Sequence, residues 1–404
     1  MRRSGGIRRA LGAVGAALLI TMLGAGCGSG HGPTAAAPVI DLKTLDAGPY
    51  ETAPRDEGKP TNQAQAQDIE AERLGNVVPL AMDINPELTY GGGTSPIVFV
   101  DPRATQLGNF ADFSGVAQDA PNLVGGFISY GRSSQADDGL ELVNAVMIFP
   151  DEKQAADAAV ALERRDFGSK PGNQPVPIPK YPTAHAHWHP GVQSIDSWYA
   201  TGTLVVLTSF FDQARMWFHH NDFPALVDIV TKSLDTMAPA LAKFTAIPVD
   251  KLSDQPIDID GMLGRTMLRP KVSKDEWVNP PGVYTAHAEL NWTPDPIETQ
   301  QWMRADGVDL VAQYGDDVFR ARDAAAAADV RDQLGDPAKH FKSAAPPKNL
   351  PIARCRQYHG QQIIAVHYYC AVSYGRYAAQ AWGDQLLDAQ QRISAQYAIL
   401  VKAK

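Results

Sequence analysis

Leu142-Val143-Asn144-Ala145-Val146-Met147-Ile148-Phe149 is an apolar run broken only by Asn144, and Pro150-Asp151 closes it. Its length and its valine and isoleucine content predict a buried strand. Glu152 to Arg164 follows, with Ala155, Ala158, Ala159 and Leu162 at steps of three and four. That spacing predicts a helix, and the Asp151 carboxylate can accept from its first free N–H groups. The same order returns later. Gly315 to Ala321 predicts a short strand around Val318 and Phe319, and Asp323 precedes an alanine-rich helix through Leu334. A shift of 172 overlays Asp151 on Asp323, Ala155 on Ala327 and Leu162 on Leu334. Later segments need a different shift, so the repeat is one of architecture.

The order extends outward from these two anchors. Strands are expected at 96–100, 123–130 and 203–211, and a helix at 223–234, with Pro239 opening a further first turn. In the second half a hairpin and a long final helix follow the prolines of 344–351. Ala379, Trp382, Leu386, Ala389, Ile393, Tyr397 and Leu400 form one apolar stripe, read as that helix. Each half therefore reads strand, helix, proline loop, hairpin, helix. The fold class expected is α+β: two similar domains, each an antiparallel sheet with helices on one face. The domains are placed at 39–246 and 283–404, with 247–282, which holds Pro248, Pro256, Pro270, Pro280 and Pro281, as an extended linker.

The start of the chain reads as an address. Arg2, Arg3, Arg8 and Arg9 precede the apolar run Leu11 to Leu23. That run is too short for a bilayer core of ~30 Å but suits a signal peptide, placed at 1–26. Leu23-Gly24-Ala25-Gly26-Cys27 fits a lipobox, with Gly24 where an aliphatic residue is favoured, so Cys27 is expected to carry a lipid. Residues 27–38 are rich in Gly, Ala and Pro and read as a tether. Arg8-Arg9 leaves the export route, general or twin-arginine, open. The expected location is extracytoplasmic, on the cell membrane through the lipid.

Composition limits the partners. The net charge is −9, and hydrophobic and charged residues are 44% and 20%. No basic footprint favours nucleic acid. With Cys27 lipidated, Cys355 and Cys370 remain, and strand-like flanks around the turn at Gly360 predict a hairpin that bridges them.

Leu45-Asp46-Ala47-Gly48-Pro49-Tyr50 with Pro54-Arg55, Asp258-Ile259-Asp260-Gly261 with Arg265-Thr266, and Cys370 through Tyr374-Gly375-Arg376-Tyr377 to Leu400 add a resemblance. With the lipobox, these stretches resemble a family of two-domain mycobacterial and related actinobacterial lipoproteins without assigned function. The resemblance implies envelope anchoring, a two-domain build and no known catalytic residues. The element order is also similar to small PsbP-like domains.

The signatures of zincins, α/β-hydrolases, β-lactamases and P-loop proteins are absent, so more weight falls on binding than on catalysis. Asp258-Ile259-Asp260-Gly261 resembles the end of a calcium loop, but Pro256 stands where a third acid belongs, so a turn is expected. His185, His187 and His189 alternate with Ala184, Ala186 and Trp188. On a strand the three imidazoles share a face. A pair of them with an outside ligand, such as His219 or His220, can hold zinc or copper; otherwise they face water. Trp198-Tyr199 and Trp217-Phe218 can line a groove or fill the core, and the core is favoured. The function expected is a non-catalytic envelope lipoprotein that binds a small ligand or a protein, with no cofactor. A hydrolase with a dispersed site and a metal binder on the histidine strand are the alternatives.

Overall fold

The β-branched and aromatic runs pair into two sheets, described here from a computed structural model over residues 40–92, 96–101, 115–136, 138–269, 278–360 and 366–403. The first sheet contains β1 (Val98–Phe99), β2 (Gly125–Arg132), β3 (Leu140–Ile148), β4 (Gln174–Val176), β5 (His185–Trp188), β6 (Ser194–Thr201) and β7 (Leu204–Asp212). The second contains β8 (Gly282–Thr285), β9 (Leu310–Gln313), β10 (Asp317–Arg320), β11 (Phe341–Ala344), β12 (Arg354–Tyr358), β13 (Tyr368–Tyr374) and β14 (Tyr377–Gly383). Every neighbouring pair is antiparallel. The strand orders are β1-β2-β3-β7-β6-β5-β4 and β8-β9-β10-β14-β13-β12-β11, one topology used twice.

The helices before and within the first sheet are α1 (Gln63–Gly75), α2 (Ala81–Ile84), α3 (Val116–Asp119), α4 (Glu152–Gly168), α5 (Gln213–Trp217) and α6 (Phe223–Leu241). Those of the second are α7 (Ala286–Glu289), α8 (Pro296–Ala305), α9 (Ala324–Gly335) and α10 (Leu386–Lys402). Asp151 and Asp323 cap α4 and α9, each accepting from the N–H three residues on. The α+β class with two antiparallel sheets is as the sequence indicates. Each sheet, however, carries helices on both faces. Trp198 Nε1 donates to Asp166 Oδ2 of α4 at 3.0 Å. The adjacent Ser197 pairs with Thr208, whose hydroxyl lies 3.1 Å from that of Ser233 on α6, over the opposite face. In the second sheet Gln380 Nε2 donates to the Leu334 carbonyl of α9 at 2.8 Å. Tyr374, of opposite parity, meets Tyr397 of α10 edge-on.

Several local expectations shift. Ala379 and Trp382 belong to β14, and the final helix starts at Leu386. Pro239 lies inside a continuous α6, in its last turn, where only one backbone bond is lost. The proline-rich stretch after α4 holds the edge strand β4, where Pro175 needs no ladder partner on its free side. The segment expected as a linker is packed down: Arg265, Thr266 and Met267 are buried, and Gln396 of α10 donates to the Arg265 carbonyl at 2.7 Å. Asp258 accepts from the N–H groups of Leu263 and Gly264, and Asp260 and Gly261 have positive φ, so the acidic tetrapeptide is a turn. Cys355 and Cys370 are directly opposed on β12 and β13 and joined in a disulfide, with α-carbons 4.1 Å apart.

Candidate functional site

The two repeats can be overlaid through their tightest turns. Thr201 pairs with Leu204 around Gly202-Thr203, and Tyr374 with Tyr377 around Gly375-Arg376. Counting back three residues matches Trp198 to Ala371. In the first repeat Trp198 is buried against α4. In the second, Ala371 is also wholly buried, beside Gln380 on β14. Helix length widens the difference: α4 has 17 residues and α9 has 12. Pro337, two residues past the end of α9, cannot continue it. The last turn of α4 carries Asp166 and Phe167, with no helical counterpart in the second repeat.

A cleft of about 850 Å³ opens on the α9 face of the second sheet, lined at the end of that helix by Leu334, Asp336 and Pro337. Its floor is a row of polar side chains placed by register. Gln313 of β9 and Gln380 of β14 flank Asp317 of β10. Gln313 Nε2 also donates to Glu289 Oε2 of α7 at 2.8 Å. Trp302 of α8 lies 5.8 Å from Phe319 and forms one wall with Trp292, whose ring sits 4.5 Å from Tyr284 and 5.7 Å from Phe127 of the first domain. Phe341 and Trp382 form the other, with Arg356 stacked 4.3 Å over Phe341. Asp295, Glu298, Asp332 and Asp336 stand among the lining residues.

The charges at the floor are unusual. Burial raises the pKa values of Glu289 and Asp317; Asp317 adds repulsion at Glu289, while Arg269 partly opposes the rise at Asp317. Arg269 is occupied by the carbonyls of Tyr314 and Asn279, at 3.2 and 2.8 Å. Trp292 Nε1 and Arg356 Nε are buried without a hydrogen-bond partner among the described residues. Such a floor can donate and accept hydrogen bonds, and the aromatic walls can cover an apolar or cationic body. No sequence motif marks these residues. The one available signal was a charge, Asp317, at an inward position of a predicted strand.

The residues singled out in the sequence fall elsewhere. His185 is exposed, His187 is buried at 3% exposure, and His189 is half-buried with Nδ1 3.2 Å from Asn173 Oδ1. The structure gathers His187 with Asp166 and Asp196, one ligand atom from each lying within 4.8 Å of the others. His185 and His189 stand outside that group. Burial lowers the His187 pKa to about 4, so its imidazole is neutral, the form that ligates metals. His219 and His220 are exposed and not part of it. Trp198 is core, whereas Trp217 and Phe218, expected as core, are 56% and 81% exposed. Cys27 lies outside the described residues. Among the described residues no helix is long and apolar enough to cross a membrane.

Two family models match, a domain of unknown function (DUF7373) N-terminal over residues 57–257 and its C-terminal partner over 262–403. No curated protein matches the chain. The chain belongs to the two-domain DUF7373 family.

Proposed function

We propose that this DUF7373 chain is a non-catalytic envelope lipoprotein that captures a small ligand in the cleft of its second domain. The observation that carries the reading is the convergence of Trp292, Trp302 and Trp382 on the buried Glu289 and half-buried Asp317 in a cleft of about 850 Å³. A cavity of that size suits a small molecule. Six carboxylates line it against Arg269 and Arg356, both held by neighbours, so the ligand class is a small molecule with a positive charge or many hydroxyls and one apolar face. The signal-like start, Cys27 and the resemblance to actinobacterial lipoproteins support anchoring at the outer face of the cytoplasmic membrane.

Native mass spectrometry of the protein taken from its host envelope should show a retained small molecule. Trp302→Ala and Asp317→Asn should each lose it while keeping the far-UV circular dichroism of the parent. A parent without any adduct, or variants that keep it, would remove the reading. Cys27→Ala should shift the protein to the soluble fraction; a variant that stays in the membrane sinks the anchor.

A second reading rests on the same pair. Two neighbouring carboxylates with raised pKa values in a cleft suit general acid–base hydrolysis. Retention of an intact ligand supports capture, and release of a cleaved one supports hydrolysis.

A further inference from the structure

The first domain holds a second polar site that the ligand cleft does not use. His187 sits on β5 directly opposite Asp196 on β6, and Asp166 reaches over them from the last turn of α4. The imidazole is bracketed by acids: Nε2 is 3.9 Å from Asp166 Oδ2 and Nδ1 is 3.8 Å from Glu163 Oε1. Neither distance is that of a hydrogen bond. His187 Nδ1 is buried without a hydrogen-bond partner among the described residues, and so is Asp196 Oδ1.

A buried imidazole left unbonded between carboxylates costs stability unless something joins them. Asp166 and Asp196 also repel each other in that setting. From the fit of these groups to one another we infer that Asp166, His187 and Asp196 form a site for a divalent transition-metal ion. One nitrogen and two carboxylate oxygens are a donor set that zinc and manganese accept. Ligand atoms around a metal with bonds of ~2.1 Å stand roughly 3.4 Å apart, so the set, within 4.8 Å as it stands, needs only side-chain rotation to close. The outer contacts that orient ligands are already in place. Trp198 Nε1 donates to Asp166 Oδ2, and Ser209 hydrogen-bonds Asp196. Glu163 faces Nδ1, where it can take the remaining ring N–H. Phe167, edge-on to the His187 ring at 5.6 Å, keeps that side dry.

The inference is independent of the cleft, which lies in the other repeat. Metal-stripped full chain lacking residues 1–26 is titrated with zinc and with manganese by calorimetry, with melting followed in parallel. One ion should bind per chain and raise the melting temperature. Asp196→Asn, close in shape to the parent, should weaken binding at least tenfold while its metal-free melting temperature does not fall. His187→Gln should do the same. His185→Ala and His189→Ala should bind as the parent does. Absence of binding to either metal overturns the site. Equal affinity in Asp196→Asn does so too, as does a loss in His185→Ala or His189→Ala matching that in His187→Gln.

Discussion

The two sheets share one strand order but treat the same face oppositely. In the first repeat Trp198 and the last turn of α4 cover the face, over the buried Asp166 and His187 and the half-buried Asp196. In the second, α9 ends five residues sooner, and the face opens as the cleft around that helix end. Duplication of a fold therefore does not duplicate its sites. Strand pairing fixes which positions face each other, while where the helix ends sets how much of that face is covered.

The strongest way to break the contrast is Trp198→Ala, which gives the first repeat the alanine of the second. Removing a fully buried tryptophan should cost about 3–5 kcal/mol, because the sheet under α4 cannot collapse onto the void. Chemical denaturation measures it. A cost below about 1 kcal/mol would mean that α4 covers the face without needing that side chain.

Register also matches Asp316 to Asn144, since Asp317 opposes Gln380 and Ala145 opposes Leu207, each three residues past its turn. Asn144 Oδ1 accepts from the hydroxyls of Thr208 and Ser233. Asp316 is wholly buried, accepts from the Met267 N–H at 2.7 Å, and its other oxygen has no hydrogen-bond partner among the described residues. Burial raises its pKa to about 8. The folded state thus holds this proton to a higher pH than the unfolded chain, where release occurs near ~4. The associated stability is full below that value and is lost as pH rises towards 8. Between pH 5 and 8 the loss should be on the order of 3 kcal/mol. Asp316→Asn should flatten that slope; an unchanged slope would assign it to Asp68 and Asp317, which burial shifts the same way.

Much of this comparison was legible in the sequence, and the limits have physical causes. Asp151 and Asp323 could be read as caps because the helix start needs a side-chain acceptor at one fixed place. The cysteine hairpin was legible because a turn between two strand-like flanks leaves few registers. The start of α10 was not, since Ala379 and Trp382 continue a spacing of three and four while their neighbours pair as a strand. The cleft was invisible because Glu289, Gln313, Asp317 and Gln380 meet only through pairing of distant strands. Of the histidine strand, alternation gave the shared face but could not supply Asp166 and Asp196, which come from a helix turn and a neighbouring strand.

The disulfide separates the repeats at a third position. Cys370 matches Ser197, one residue before Trp198, and Cys355 matches its partner Ala186. Reduction should loosen the second repeat by about 2–3 kcal/mol through loop closure and leave the first intact. Hydrogen exchange on the reduced protein should show faster exchange in β12, β13 and α10 and unchanged rates in β3, β6 and β7. Equal acceleration in both halves would show that the two domains unfold as one.

The smallest expected effect tests the equivalence on which these comparisons rest. Gly202 and Gly375 occupy the matched turns β6–β7 and β13–β14, each with φ of 55°. A β-carbon at either position would meet nothing within 4 Å. Substitution by alanine therefore adds no clash with the surroundings and leaves only the left-handed backbone cost, about 1 kcal/mol at each site. Gly202→Ala and Gly375→Ala should lower stability by the same amount, and the double variant should show the sum, since the turns sit in different domains with no shared neighbour. A markedly larger loss at Gly375 would mean that the second hairpin is held under a constraint the first lacks, with the disulfide four residues before the turn as its nearest source. Repeating the Gly375→Ala measurement with Cys355 and Cys370 reduced would then restore equality if the bridge is the cause.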